Sequence, residues 1–346
     1  MAELIAGWDL GGAHLKLALA TSEGTLRAVR QEPCALWQGL DRLDQALDRI
    51  WPEVAEVTHH AVTMTGELVD LFDSRPAGVT ALLGKMTARV SGGLSVYGGA
   101  AGFLTPQEAG RRPQCVASAN WHASAAFVAR RVPEALFLDL GSTTADLVPL
   151  HDGQIAALGV SDHERLALEE LVYSGVTRTP VMALARSVPF AGTRQALMAE
   201  HFATTADLHR ITGRLPEHAD QHSTADGAPK TPEASLRRLA RMLGRDLEDG
   251  SAAAWQRLAR HLTGRQLQSL ERAAERILSR DLLDDAAPLV GAGIGRFLLA
   301  DLAARLARPY RDFATLVDGP DEVREHAARS APATALALLA AEPHVR

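Results

Sequence analysis

The sequence predicts a two-domain α/β fold built by internal duplication, and three stretches predict it. Leu4–Ala20, LIAGWDLGGAHLKLALA, is an apolar strand ending in Asp9, a Gly11-Gly12 turn and a second strand, Leu15–Ala20. Phe137–Pro149, FLDLGSTTADLVP, uses the same device: a buried strand (Leu136–Leu140), a tight turn (Gly141-Ser142-Thr143-Thr144) and a strand (Ala145–Leu150). Pro288–Val290 leads through Gly291-Ala292-Gly293-Ile294-Gly295 into a helical pattern from Arg296 to Leu306. The Asp-Leu-Gly pair at Asp9 and Asp139 predicts two related halves facing each other across a cleft.

The elements follow in order. Leu4–Asp9, Leu15–Ala20 and Thr25–Gln31 read as strands, with Ser22-Glu23-Gly24 turning the last pair. Gly39 to Trp51 carries Leu40, Leu43, Leu47 and Ile50 on one helical face. A strand near His59–Thr63 leads to Thr65-Gly66-Glu67, and Arg75–Val90 reads as a helix. Val116–Ala117 is expected as a short strand and Trp121–Arg131 as a helix. After the second hairpin, Asp152-Gly153 turns into a third strand, and Leu166–Tyr173 is expected to be helical. Val176–Pro180 is extended, as a residue before Pro prefers. From about 189 to 250 the chain turns rich in Ala, Arg, His and Asp, which predicts a mostly helical insertion with an irregular middle, Leu215–Pro232. Ser251–Leu278 is expected to hold two amphipathic helices, Tyr310–Val317 a strand, and Pro332–Leu339 a last helix.

The turns suggest the chemistry. Gly lets backbone approach a ligand, and turn N–H groups with hydroxyls hold phosphate oxygens. Carboxylates reach phosphate through Mg²⁺, which takes one or two of them plus waters and phosphate oxygens. Asp9 and Asp139 are therefore the candidate catalytic and Mg²⁺-positioning residues; the ordinary alternative is a turn cap. Gly11, Gly12, Gly141, Ser142, Thr143 and Thr144 are the candidate phosphate cradle, and Lys16 a point charge for it. Asp146 is a second metal ligand, a general base or a solvated strand carboxylate. Gly291, Gly293 and Gly295 form a third glycine turn; their spacing departs from G-x-G-x-x-G, which disfavours a dinucleotide fold. Lys85 and Arg89, one turn apart, form either a clamp on an anionic substrate or a solvated helix face. Asn120 caps a helix, Trp121 stacks on an aromatic substrate or packs in the core, and Arg178 binds an anion. His218, Asp220, His222 and Asp226 lie in a polar run without fixed metal spacing, expected to be a solvated loop. No G-x-S-x-G is present, and neither Cys has a neighbouring His, so nucleophilic catalysis finds no support.

The bulk composition sets limits. The chain has 346 residues, 47% hydrophobic and 23% charged, enough for two cored domains. A net charge of −6 argues against nucleic acid as a partner. Cys34 and Cys115 have no metal spacing and read as buried thiols of a reducing compartment. No signal-like N-terminus and no membrane-length apolar run appear, so a cytoplasmic protein with no membrane partner is expected; homo-oligomerisation is left open.

The three turns resemble the two phosphate loops and the adenosine loop of the actin/sugar-kinase/heat-shock ATPase superfamily. Met64-Thr65-Gly66-Glu67-Leu68, Ser118-Ala119-Asn120-Trp121, Arg178-Thr179-Pro180-Val181, Ala203–Arg214, Thr224-Ala225-Asp226-Gly227 and Arg238–Asp246 narrow this. Through them the chain resembles the hydantoinase/oxoprolinase-related proteins of tetrahydromethanopterin-linked C1 transfer. The resemblance implies a duplicated actin-like (ribonuclease H-like) fold. Residues 1–134 with a C-terminal helix at about 331–342 would form one domain, and 135–330, with the insertion, the other. It also implies a transferase of methanofuran- or methylofuran-type cofactor synthesis. That enzyme joins an aminomethylfuran-methyl diphosphate to the phenol oxygen of a glutamylated tyramine or tyrosine, releasing diphosphate, with Mg²⁺ as cofactor. Glu67 or Asp146 would accept the phenol proton. The other class open to such a cleft is an ATP-dependent small-molecule kinase, ATPase or nucleotide sensor, with ATP the disfavoured ligand.

Overall fold

A computed structural model describes residues 3–217 and 219–342. The chain divides into two compact units. One comprises residues 1–137, 148–157 and 311–346; the other comprises 138–147 and 158–310.

The chain begins with β1 (Leu4–Leu10), β2 (His14–Thr21) and β3 (Leu26–Pro33), then α1 (Asp41–Ile50), β4 (His59–Met64), α2 (Arg75–Arg89), β5 (Gly93–Tyr97) and β6 (Phe103–Leu104). Helices α3 (Pro106–Arg111), α4 (Pro113–Val116) and α5 (Asn120–Ala129) follow. The first sheet has the order β3-β2-β1-β4-β5-β6. β1 and β2 pair antiparallel, as do β2 and β3, whereas β1–β4 and β4–β5 are parallel. β1 is buried at six of seven positions, the near-continuous apolar run of a strand covered on both faces. Trp8, Leu10, Leu17, Leu47, Val62 and Met86 belong to the core of this unit.

The second hairpin is β7 (Ala135–Leu140) and β8 (Ala145–His151), followed by β9 (Gln154–Ile155), α6 (Asp162–Leu168) and β10 (Leu171–Val172). Then come β11 (Ser187–Phe190), β12 (Thr193–Ala196), α7 (Thr205–Ile211), α8 (Pro232–Arg241) and α9 (Ala252–Leu278). The chain continues with β13 (Leu289–Ala292), α10 (Arg296–Arg305), β14 (Tyr310–Asp312), α11 (Asp321–Arg329) and α12 (Ala331–Ala341). The second sheet runs β10-β8-β7-β13-β14, with β9 added on β8. Each sheet thus places its first strand inside, its hairpin partner and a further strand on one side, and later strands on the other: three in the first sheet and two in the second. This repeated order is the duplicated actin-like, ribonuclease H-like fold.

Several local expectations are corrected. Residues 187–196 form a two-stranded hairpin, not a helix. Its turn, Ala191-Gly192, takes positive φ at both residues (47° and 77°), a conformation that Ala does not advertise. Phe190 of this hairpin stacks on Trp255 of α9, with centroids 4.5 Å apart. Ser251–Leu278 holds one 27-residue helix rather than two, because Leu258, Leu262, Leu270 and Ile277 keep one buried face through Gly264. α6 begins earlier than expected, at a capping box between Ser161 and Glu164, and stops where Glu169 turns left-handed (φ 58°). Val116 closes the short helix α4, not a strand. β14 stops at Asp312, whose side chain caps a following 3₁₀ turn by accepting from Ala314 N. Among the described residues no helix is long and apolar enough to cross a membrane.

α12 is apolar on every side and buried at Ala333, Leu336 and Ala337, and it packs against β1 and α5. It reaches β1 because Gly7 has no side chain. A Cβ there would lie 2.2 Å from Ala333 O and 2.5 Å from Ala337 N. Gly7→Ala is expected to destabilise the protein by about 1–3 kcal/mol or more, from forced backbone separation. Urea unfolding measures this; an unchanged midpoint would show that α12 does not depend on that contact.

Candidate functional site

In the second unit two loops converge on one turn. Asp139, the last residue but one of β7, is half-buried, and Gly141 N donates to Thr144 O (2.9 Å) to close the turn. The hydroxyls of Ser142 and Thr143 lie 3.4 Å apart, and residues 141–144 are all half-buried. Ser142 O accepts from Thr177 N (3.2 Å) and Arg178 N (3.0 Å). Gly175 presses on the same peptide: a Cβ there would lie 2.3 Å from Ser142 C and Thr143 N. From the other side, Gly293 (φ +87°) approaches so closely that a Cβ would meet Leu140 O at 2.3 Å and Asp139 Oδ1 at 2.4 Å. Gly295 N donates to Leu140 O (2.8 Å), and Gly291 lies against the Tyr310 ring. The structure therefore brings Asp139, Gly141–Thr144, Gly293, Gly295 and Arg178 together. The N–H of Gly295 is already taken by protein. The side-chain donor set of the turn, one carboxylate and three hydroxyls, is all oxygen, which suits a hard ion such as Mg²⁺.

In the first unit Asp9 is 3% exposed and sits opposite Lys16 in the β1–β2 register, with Lys16 Nζ 3.6 Å from Asp9 Oδ2. Gly11 N closes the turn onto His14 O (3.0 Å), and Gly12 packs against Val69. Thr65 N donates to Leu10 O (3.1 Å), so the Thr65-Gly66-Glu67 turn lies beside the Gly11-Gly12 turn. Glu67 is buried and accepts from Ser118 Oγ (3.0 Å). That bond ties in the segment leading to Asn120 and Trp121. Asn120 is the first residue of α5 rather than its cap; its Oδ1 accepts from Trp121 N (2.8 Å), and Trp121 is buried.

Other candidates are engaged elsewhere. Lys85 Nζ lies 2.7 Å from Asp44 Oδ2, and Arg89 pairs with Asp48 (2.7 Å) and lies over the Trp51 ring. Their charges are balanced by α1, through contacts between segments remote in sequence. Asp146 Oδ1 pairs with the fully buried Arg165 (2.8 Å); burial raises its pKa, against the pull of that guanidinium. The polar run expected to be a solvated loop is anchored by ion pairs instead. Asp220 accepts from Arg210 (2.6 Å) and Asp226 from Arg238 (3.0 Å), and Arg238 also pairs with buried Asp207. His218 lies outside the described residues. Burial lowers the His222 pKa, and the nearby Arg178 charge lowers it further. Cys34 is buried and its thiol is pushed up to about 11; Cys115 is half-buried.

Sequence reasoning missed the group that holds the Gly175 loop. Gln266, buried within α9, donates to Gly175 O (2.8 Å) and Ser174 Oγ (3.1 Å). Thr205 Oγ1 also donates to Gly175 O (2.8 Å). With its amide nitrogen so used, Gln266 Oε1 must accept from His209 Nε2 (3.0 Å), which fixes the ring tautomer. The available signal was a Gln between Leu262 and Leu270 on an apolar helical stripe.

With this geometry described, the chain can be compared with known proteins. It matches the hydantoinase/oxoprolinase family over residues 58–311. It is 32% identical over 299 residues to the "(4-{4-[2-(gamma-L-glutamylamino)ethyl]phenoxymethyl}furan-2-yl)methanamine synthase" of Methanocaldococcus jannaschii, covering 86% of this chain and 88% of that one. It is 36% identical over 129 residues to the protein of the same name from Methanococcus vannielii, covering 37% of this chain and 58% of that one. Among solved structures it is similar to the activator of 2-hydroxyisocaproyl-CoA dehydratase from Clostridium difficile, with a TM-score of 0.46 and 11% identity over 99% of this chain and 94% of that one. The chain belongs to the hydantoinase/oxoprolinase family.

The buried His209 makes a prediction. Burial pushes its pKa down to about 4, against the raising effect of the Gln266 bond. Above the unfolded value of about 6.5 the ring is neutral in both states and the stability is fully present. As pH falls from there toward 4, only the unfolded chain takes up the proton, so stability is lost. Wild type should lose on the order of 3 kcal/mol more than His209→Gln between about pH 7 and pH 4. Parallel urea titrations at several pH values measure the difference; superimposable pH slopes would refute a neutral buried ring.

Proposed function

We propose that this chain is a transferase of methanofuran- or methylofuran-type cofactor synthesis. It joins an aminomethylfuran-methyl diphosphate to the phenol oxygen of a glutamylated tyramine or tyrosine acceptor and releases diphosphate. One observation carries this reading: the 32% identity, across most of both chains, to a synthase whose name specifies a phenoxymethyl-furan ether with a γ-glutamylaminoethyl arm. That name also favours an ether-forming transferase over a kinase, ATPase or sensor.

In the reaction, the furan-methylene carbon–oxygen bond breaks and its electron pair leaves with diphosphate. A lone pair of the phenol oxygen forms the new carbon–oxygen bond, and the phenol proton passes to a carboxylate. The Gly141–Thr144 turn is suited to hold diphosphate oxygens through its hydroxyls, with Arg178 on the adjoining loop. Asp139 would hold Mg²⁺ beside that turn; in the first unit the corresponding carboxylate is Asp9, balanced by Lys16. Bound Mg²⁺ would supply charge neutralisation of the leaving group. Holding these donors before the reaction lowers the cost of developing charge. Asp146, with its raised proton affinity, and Glu67 are the candidate proton acceptors. Lys85, Arg89 and Trp121 have no part in this reading, because their charges or rings are occupied within the first unit.

Calorimetric titration with diphosphate and with ATP, each with and without Mg²⁺, tests it. Mg²⁺-dependent diphosphate binding at least as tight as ATP binding is expected. Tight ATP with negligible diphosphate binding would transfer support to the kinase or sensor class. Asp139→Asn and Asp9→Asn should each abolish diphosphate release while retaining the fold by circular dichroism. Near-normal turnover in both would sink the assignment.

A further inference from the structure

We propose that a pocket beside α9 binds the carboxylate end of the acceptor, the γ-glutamyl α-carboxylate. The proposal rests on the transferase reading for the identity of that ligand. The pocket lies within the second unit and measures about 280 Å³, close to the lower limit of small-ligand sites. α9 contributes Arg265, Ser269 and Arg272, one stripe at i, i+4 and i+7. The facing wall carries Tyr173, Ser174 and Thr179.

Charge identifies the ligand class. No acidic side chain is among the described residues lining the pocket, although the chain as a whole carries a net charge of −6. Arg272 makes no hydrogen bond or ion pair among the described residues. Arg265 donates to Gln268 Oε1, itself on the pocket wall (2.7 Å). By contrast Arg276, one turn further along α9, pairs with Glu169 and donates to Ala167 O. Guanidinium forks match carboxylates in a plane, and the Ser269 hydroxyl on the same stripe can accept from the adjacent ammonium. The exposed Tyr173 ring and the apolar side chains of Val172 and Leu184 offer a surface for an aryl body. A carboxylate-bearing head on an aromatic body is the chemistry of a glutamylated tyramine.

Position connects the pocket to the turn. Ser174 and Thr179 line the pocket, and between them Gly175, Thr177 and Arg178 hold the Ser142 peptide. One loop therefore lines the pocket at both ends and gives its backbone to the Gly141–Thr144 turn.

The test titrates γ-glutamyltyramine, tyramine and diphosphate with Mg²⁺ into the wild type and an Arg265→Glu/Arg272→Glu variant. Both positions are exposed, so folding is retained, which circular dichroism verifies. Wild type should bind γ-glutamyltyramine at least about tenfold tighter than tyramine, the scale of one charge-assisted hydrogen bond. The double variant should lose that preference with diphosphate binding unchanged. A wild type that binds the two amines alike, or binds neither, overturns the proposal, as does a variant that keeps the preference. Loss of diphosphate binding in the variant would also overturn it, assigning the arginines to the leaving group. Diphosphate release from the furan substrate is followed separately; its absence counts against the reaction, not against the pocket.

Discussion

The contact between Gly175 and the Ser142 peptide is the constraint on which the second unit is arranged. No side chain fits at Gly175, because a Cβ would sit 2.3 Å from Ser142 backbone atoms. Two loops remote in sequence can therefore exchange backbone hydrogen bonds, from Thr177 and Arg178 to Ser142 O. The Gly175 carbonyl is in turn held by Thr205 at the start of α7 and by Gln266 within α9. The helical segment is thus tied through one glycine to the turn that carries three hydroxyls. The turn's dipoles are thereby preorganised and need not reorient to meet a charge.

Electrostatics divides the charged residues into two populations. Arg165 and Arg238 are buried and matched by Asp146 and by Asp207 with Asp226. Breaking such a buried pair leaves an uncompensated charge and costs several kcal/mol, so these arginines hold architecture rather than ligand. Arg265 and Arg272 are exposed around a concave surface free of acids among its described residues. A cation left unmatched in a pocket is the feature that a carboxylate-bearing acceptor can use.

The two β-turn-β hairpins were legible because their signals are local. An apolar run ending in Asp-Leu-Gly specifies strand and turn within a few residues, and its recurrence at Asp9 and Asp139 announced the duplication that both sheet orders display. The glycine turn at 291–295 was legible for the same reason. The hairpin at 187–196 was not, because its turn uses Ala191 and because Phe190 is held by stacking on Trp255, far along the chain. The pairing of Lys85 and Arg89 with α1 was equally invisible, since nothing within a helical turn of either announces Asp44 or Asp48.

The sequence by itself determined the family, the doubled sheet design and the residues of each turn, because these follow from short-range pattern. Only the tertiary structure decided what surrounds them. It gave Asp146 to Arg165, tied Glu67 to Ser118, set Gln266 under Gly175 and gathered Arg265 and Arg272 around one pocket. Each of these depends on which distant backbone can come close, and that is settled by packing and by the absence of a Cβ at a few glycines.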